Sequence, residues 1–394
     1  MRRFDMKKTW VILVMLFVIL TANAAAEQTT GFKNIGYYID EKNLTIEEIV
    51  NIDFTPLASP FKKNFGVTKN SVWLRFSVKA MDFDNHYYID TGTSADEADL
   101  FYPKPDGTWI TERTGSMIPF SKKNLKTLFP VFRLNNCCSV YYLKLRSGYN
   151  IRFDPKINPE KSYVRSFNGS LYFNGIFAGI LLALILYNLF VYISVRDIRY
   201  LYYVIFIALF LIWSLDFLGF SRMLWLKEQP WIRRYSFRVF HVLMVVSAVQ
   251  FSKRMMNIRY YYPKINRLLN FIQLVLLFIL LPVGFFVGKS IIYYRSSQAF
   301  SLMAALTVLA VSVLLSLKKN RPAYFFLASV FMFVFAVFFY ILLTLQLLPP
   351  IWFGNYIIQL TIAIQGIPLI PTSNKARLVK RRLSTYDLKR YFAA

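Results

Sequence analysis

The chain is poor in the residues that staple small domains and hold metals. Its 394 residues include two cysteines, Cys137 and Cys138, and two histidines, His86 and His241. Adjacent cysteines rarely bridge each other, because the ring strains the peptide between them, so no disulfide framework is expected. No Cys/His spacing suits zinc, and no metal or cofactor is expected. No Ser/His/Asp constellation marks an enzyme. Acidic residues are scarce in the second part of the chain: residues 171–394 hold 4 Asp/Glu against 24 Lys/Arg, whereas residues 27–170 hold 16 against 19. The net charge of +26 therefore lies between apolar runs, as in membrane-protein loops. It does not form a footprint for nucleic acid.

What is abundant is apolar surface. The apolar fraction is 56%, the mean hydropathy is +0.39, and there are 38 Phe and 26 Tyr. Seven apolar stretches follow one another near 173–195, 200–219, 234–252, 267–288, 291–317, 322–345 and 350–371. Each approaches the ~20 residues that a bilayer-spanning helix needs. The expected membrane domain covers 171–371, followed by a short basic cytoplasmic tail over 372–394. At the other end, Arg2, Arg3, Lys7 and Lys8 precede an apolar run from Trp10 to Leu20 and small residues at Ala22, Ala24 and Ala26. That pattern reads as a signal peptide over 1–26, with an uncleaved anchor as the alternative. Residue 27 onward is then extracytoplasmic, and seven crossings put the C-terminus inside. The charges agree: 17 Lys/Arg fall in the segments assigned to the inside and five in the loops assigned to the outside.

The region 27–165 shows short alternating runs bounded by turn residues, which predicts an extracytoplasmic all-β sandwich. In SVWLRFSVK, Val72, Leu74, Phe76 and Val78 share one face, and Trp73, Arg75, Ser77 and Lys79 share the other. SVYYLKLR repeats the pattern, with Tyr142, Lys144 and Arg146 opposite Tyr141, Leu143 and Leu145. Further strands are expected over 86–90, 98–103, 108–112 and 128–134, with Asp106-Gly107 as a hairpin turn. The string Asp90-Thr91-Gly92-Thr93-Ser94 matches an aspartic-protease motif, but that chemistry needs two carboxylates sharing a proton. The chain has no second D-T-G, so Asp90 is expected to end a strand at a turn. Asp96, Glu97 and Asp99 lack the spacing of a defined calcium loop.

Ionisable residues inside apolar spans are costly and attract functional hypotheses. Asp216, Arg238, His241 and Arg295 all fall towards the outer ends of their spans. Arg238 and His241 are three apart, on one helix face, and an Asp216–Arg238 pair would link the outer domain's state to helix packing. Snorkelling of Arg238 to the interface is the alternative. No lysine lies in the seventh stretch, which excludes a retinal Schiff base there.

Tyr187-Asn188-Leu189-Phe190, Arg196-Asp197 and Tyr200-Leu201-Tyr202-Tyr203, followed by Gly219 and Leu224-Trp225, resemble the bacterial seven-transmembrane receptors with diverse intracellular signalling modules (7TMR-DISM). Phe65-Gly66-Val67, Trp73-Leu74-Arg75-Phe76, Asp99-Leu100-Phe101-Tyr102, Gly107, Gly115, Pro119 and Tyr141-Tyr142-Leu143 resemble that family's type-2 extracellular domain. The resemblance implies a seven-helix membrane bundle carrying a jelly-roll-like sandwich similar to carbohydrate-binding modules, in the bacterial inner membrane. It also implies a sugar or other small-molecule ligand and output through a cytoplasmic effector such as a histidine kinase, a diguanylate cyclase or a phosphatase. Too few residues follow the seventh stretch to fold an effector, so the expectation is either an effector in trans or a truncated gene. A homodimer stays open.

The expected function is thus a membrane sensor. Its ligand face carries Trp73, Arg75, Tyr142, Lys144 and Arg146, which combine rings for stacking with charged hydrogen-bonding groups. An ordinary solvated sandwich face is the plain alternative. At the level of function the alternative is a small-solute transporter, which would want inverted repeats and broken helices at matching positions. Pro282 and Pro368 do not match in that way.

Overall fold

The computed structural model describes residues 31–58, 61–79, 86–93, 95–134, 140–148, 150–286, 291–318, 321–344 and 357–365. The expected signal segment, the Cys137–Cys138 pair and the basic tail lie outside the described residues.

The N-terminal part is built from antiparallel strands: β1 (Phe32–Asp40), β2 (Thr55–Pro56), β3 (Lys63–Val67), β4 (Ser71–Val78), β5 (Tyr87–Asp90), β6 (Glu97–Pro103), β7 (Trp109–Thr114), β8 (Val131–Leu134), β9 (Val140–Arg146), β10 (Asn150–Phe153) and β11 (Lys156–Pro159). A six-stranded sheet has the order β2-β1-β4-β9-β6-β7. Facing it are a three-stranded sheet, β11-β5-β8, and a two-stranded one, β10-β3. Alternation explains the layering. Leu74 pairs with Leu143 and Phe76 with Tyr141 across β4 and β9. These side chains point into one buried cluster with Leu100, Ile89, Phe132, Ile151 and Phe153. Full burial of each such side chain is worth about 1.5–3 kcal/mol.

The strands expected over 86–90, 98–103 and 108–112 are present. The last expected strand shortens to Val131–Leu134, because Pro130 lacks the N–H a ladder needs and Leu128 packs elsewhere. At the hairpin between β6 and β7, Gly107 has φ +81°. The Asp106 side chain accepts the Thr108 N–H at 2.9 Å and its hydroxyl at 2.6 Å. Asp90 ends β5 in a turn as expected. Its carboxylate accepts the Gly92 N–H at 2.9 Å, and Thr91 donates its hydroxyl to the Pro130 carbonyl at 3.0 Å.

The second part is helical: α2 (Glu160–Val195), α3 (Ile198–Phe217), a short α4 (Ser221–Leu224), α5 (Pro230–Met255), a single turn α6 (Ile258–Tyr261), α7 (Pro263–Phe286), α8 (Ile291–Leu317), α9 (Arg321–Thr344) and α10 (Ile357–Gln365). The label α1 belongs to a four-residue helix, Ile46–Ile49, in the N-terminal part. Each of the seven expected spans has a helix at its place among the described residues. Among the described residues, five runs are long and apolar enough to cross a bilayer: Glu160–Val195, Ile198–Phe217, Pro230–Met255, Pro263–Phe286 and Arg295–Leu317. α9 contains a further apolar stretch, Phe326–Ala336. The first helix starts at Glu160, well before the expected 173, so it reaches into the region assigned to the outer domain.

Neighbouring helices pack in sequence: α2 on α3, α3 on α5, α5 on α7 and α8, α8 on α9, α9 on α10. α10 also packs on α2, which closes the bundle. Leu181, Ile207, Val242, Ile272 and Val311 share its core, while large apolar side chains such as Ile176, Leu186, Phe190 and Phe278 stay exposed. Apolar side chains inside and outside suit a bundle bathed in lipid. Within α7, Val275–Leu280 widens into a π-helical stretch. The cause is Pro282, which has no N–H to give and crowds the carbonyl one turn back.

Gly92 has φ +64°, and a Cβ there would stand 2.2 Å from the Asp154 carbonyl oxygen. Gly92→Ala is predicted to cost about 2 kcal/mol or more, measured as a lowered thermal midpoint of the whole chain in nanodiscs. An unchanged midpoint would show that this turn does not constrain the outer domain.

Candidate functional site

The expected ligand face is the outer face of the six-stranded sheet, and it is not open. After β1 the chain doubles back as a strap, residues 41–54, and lays Ile46, Ile49 and Phe54 over that face. Trp73 is 1% exposed and Tyr142 is 6% exposed, packed with Phe101 beneath the strap. The expectation of a stacking platform therefore needs correction: the rings that were to meet a sugar instead meet this chain's own aliphatic side chains. Apolar groups of both signs of alternation are buried here because the sheet is covered on both faces.

Asp40, at the end of β1, anchors the strap. Its carboxylate accepts the backbone N–H groups of Lys42 at 3.0 Å, Asn43 at 2.7 Å and Leu44 at 2.9 Å. It also accepts the Trp73 indole N–H at 3.0 Å. The Lys144 ammonium lies 3.9 Å from the same carboxylate and donates to the Leu44 carbonyl at 3.0 Å. Burial holds Lys144 below its ordinary pKa, with Asp40 pulling the other way. Arg146 donates to the Asn43 side chain at 2.8 Å. Arg75 remains exposed, its guanidinium 5.0 Å from the centre of the Phe54 ring. The five expected residues are thus brought together on one face, three as a polar margin and two as the floor beneath the strap. The acidic residues Asp96, Glu97 and Asp99 are each engaged. Asp96 accepts from Ser116 at 2.9 Å and from the Gly148 N–H at 2.8 Å, Glu97 faces Arg146 at 3.8 Å, and Asp99 faces Arg113 at 3.5 Å.

A second site lies where the β domain meets the bundle. β11 runs directly into α2: the Glu160 N–H bonds the His86 carbonyl at 2.9 Å, and Tyr88 donates to the Glu160 carboxylate at 3.3 Å. Beside this joint, the α3–α5 connector, residues 218–229, docks on residues 116–130 of the β domain. The Phe120 N–H bonds the Lys227 carbonyl at 2.8 Å, Ser121 donates to Glu228 at 2.7 Å, and Arg222 donates to the Leu128 carbonyl. Leu128, Leu218 and Phe220 form a small apolar cluster there. Two family descriptions cover this arrangement. Residues 33–158 match the model described as 7TMR-DISM extracellular 2, and residues 170–370 match the one described as 7TM diverse intracellular signalling.

The chain belongs to the 7TMR-DISM family. No curated protein matches it. The family is one of membrane sensory receptors, and the chain is a multi-pass membrane protein with an extracellular N-terminal domain. The family-like Arg196-Asp197 turn now has a physical reason. Arg196 ends α2 with φ +57°, and Asp197 caps α3 by accepting the Arg199 N–H at 3.1 Å and pairing with its guanidinium at 2.5 Å.

The intramembrane polar residues of this 7TMR-DISM chain are held by different neighbours. Asp216, 0% exposed, accepts hydroxyls from Ser221 and, at 2.9 Å, from Ser236. Arg238 donates to the Gly284 carbonyl and covers the Tyr293 ring at 5.1 Å. His241 lies 3.2 Å from the Ser301 hydroxyl. Arg295 is exposed on α8. Residue types missed their importance in one case: Arg222 looked like an ordinary loop cation, yet it is 2% exposed. Gly219, three residues before it, was the available signal, since a glycine just past a helix marks a left-handed cap and a sharp turn of the chain.

Asp40→Ala removes four charge-assisted hydrogen bonds, three from strap N–H groups and one from the Trp73 indole, and is predicted to destabilise the outer domain by about 2–3 kcal/mol. The check is red-shifted tryptophan emission and faster proteolysis between residues 41 and 54 in the full chain. Unchanged emission and cleavage would mean that the strap is held by its apolar contacts alone.

Proposed function

We propose that the chain is a receptor whose outer β domain takes up a small extracytoplasmic ligand and whose seven helices pass the response to a cytoplasmic signalling effector. The observation that carries this reading is the double attachment of the β domain to the bundle. A binding module meant only to concentrate solute can hang on a flexible linker. Here β11 continues into α2 with no intervening loop, and the 218–229 connector holds a second point. A ligand favouring one arrangement of the β domain must then favour one arrangement of helices as well.

For the ligand, the polar margin Arg75, Lys144 and Arg146 supports a hydroxyl-rich or anionic small molecule, with a sugar as the leading class. Stacking on Trp73 or Tyr142 is dropped from this reading while the strap is seated. The basic loops of the half assigned to the inside support a C-terminus in the cytoplasm, and the effector is of the histidine-kinase or diguanylate-cyclase kind.

The test uses the full chain in nanodiscs with a panel of mono-, di- and oligosaccharides. The expected result is a raised thermal midpoint with a subset of sugars that weakens at least about tenfold in affinity in Arg75→Ala, the range for loss of a charged hydrogen bond. No shift with any sugar removes the carbohydrate class. Uptake of the same sugars into proteoliposomes would replace the receptor by a transporter.

A further inference from the structure

The joint between β domain and bundle contains a chain of buried polar contacts. α3 ends at Phe217 in a glycine-terminated turn: the Gly219 N–H bonds the Asp216 carbonyl at 3.0 Å and the Phe220 N–H bonds the Leu215 carbonyl at 2.8 Å. Gly219 has φ +85°, and a Cβ there would lie 2.5 Å from the Arg222 guanidinium. The glycine therefore serves twice, ending the helix and leaving room for the arginine to turn towards the β domain. Arg222 reaches the Leu128 carbonyl. Its neighbour Ser221 donates to Asp216 on α3, and Asp216 also takes the Ser236 hydroxyl from α5. Four elements meet through three consecutive contacts: the 116–130 loop, α4, α3 and α5.

We propose that the 218–229 connector is a latch that converts a displacement of the 116–130 loop into a movement of α3 against α5. Apolar contacts such as Leu128 on Leu218 and Phe220 are non-directional and let the two parts slide. Hydrogen bonds to buried charged groups are directional and costly to leave unmade. When the Leu128 carbonyl moves, the buried Arg222 guanidinium follows it or loses an acceptor. Following it carries α4, and with it the Ser221 hydroxyl on Asp216. Because β11 and α2 are joined without a loop, a tilt of the β domain is carried into α2, and the latch, on a different segment, registers the same tilt. This rests on the receptor reading for its biological direction only. The coupling itself is reciprocal: a change in the bundle must alter the β domain by the same factor.

Hydrogen exchange of the full chain in nanodiscs tests it without ligand or effector. Asp216→Asn, a change inside the bundle, is expected to speed exchange of amides in 116–130 of the β domain by about fivefold or more. Arg222→Ala is expected to speed exchange in both 116–130 and the first turns of α5. Ser236→Ala, which removes one hydroxyl, supplies a milder version if Asp216→Asn fails to insert. Changes confined to 218–229 would overturn the proposal, as would a uniform rise through both domains, which would mark the latch as ordinary packing. A positive exchange result together with no response to any solute would leave the latch standing and remove the receptor reading.

Discussion

A bilayer core offers no water to a peptide group, and everything else in this chain is arranged around that fact. Each N–H and C=O inside the membrane must find its partner within the chain, so the described part of the membrane half is mostly helix, joined by short turns and the 218–229 connector. Departures occur where a substitute partner exists. Pro282 breaks the α-helical ladder of α7, which answers with a wider turn, and the Arg238 guanidinium supplies a donor to the Gly284 carbonyl close by. Gln273 donates to the Val246 carbonyl of α5 at 2.9 Å, a side chain-to-backbone bond between helices.

The β domain solves a different problem. It has water on its outside, yet its main sheet is buried on both faces. The inner face packs on the smaller sheets, and the outer face is covered by a segment of fourteen residues tethered through one carboxylate, Asp40. That segment owes its single helical turn to local rules: Thr45 precedes Ile46, and the Glu48 side chain accepts the Thr45 N–H at 2.8 Å. Its apolar residues fall at Ile46 and Ile49, three apart and on one side. The sheet and the strap therefore complete one another: either alone would expose a broad apolar surface.

Much of this was legible from the residues. Length and apolarity located every membrane helix that is described, and period-two alternation found β4 and β9, with the correct division of their faces. The strap was not legible in the same way. A face reading Trp73, Arg75 and Tyr142, Lys144 alternates aromatic and basic groups, and such a face looks alike whether solvent or the chain itself covers it. The start of α2 was missed because residues 160–172 are helical but polar, so hydropathy is blind to them. β1 was missed because its register shifts between Phe32 and Asn34, which blurs the alternation. Arg222 was counted correctly as a charge outside the apolar runs. Its role depends on a partner about ninety positions away in the chain, the Leu128 carbonyl, and no local pattern reports a contact of that kind.

The edges of the main sheet carry a consequence for self-association. One edge is β2, two residues long and ending in Pro56, which has no N–H to offer a neighbouring strand. The other is β7, whose sequence includes Glu112 and Arg113. A short, proline-stopped edge and a charged one discourage a second copy from extending the sheet, an asset for a domain held at high local density on a membrane surface. Two copies that meet side by side are therefore not expected to continue the main sheet from one into the other.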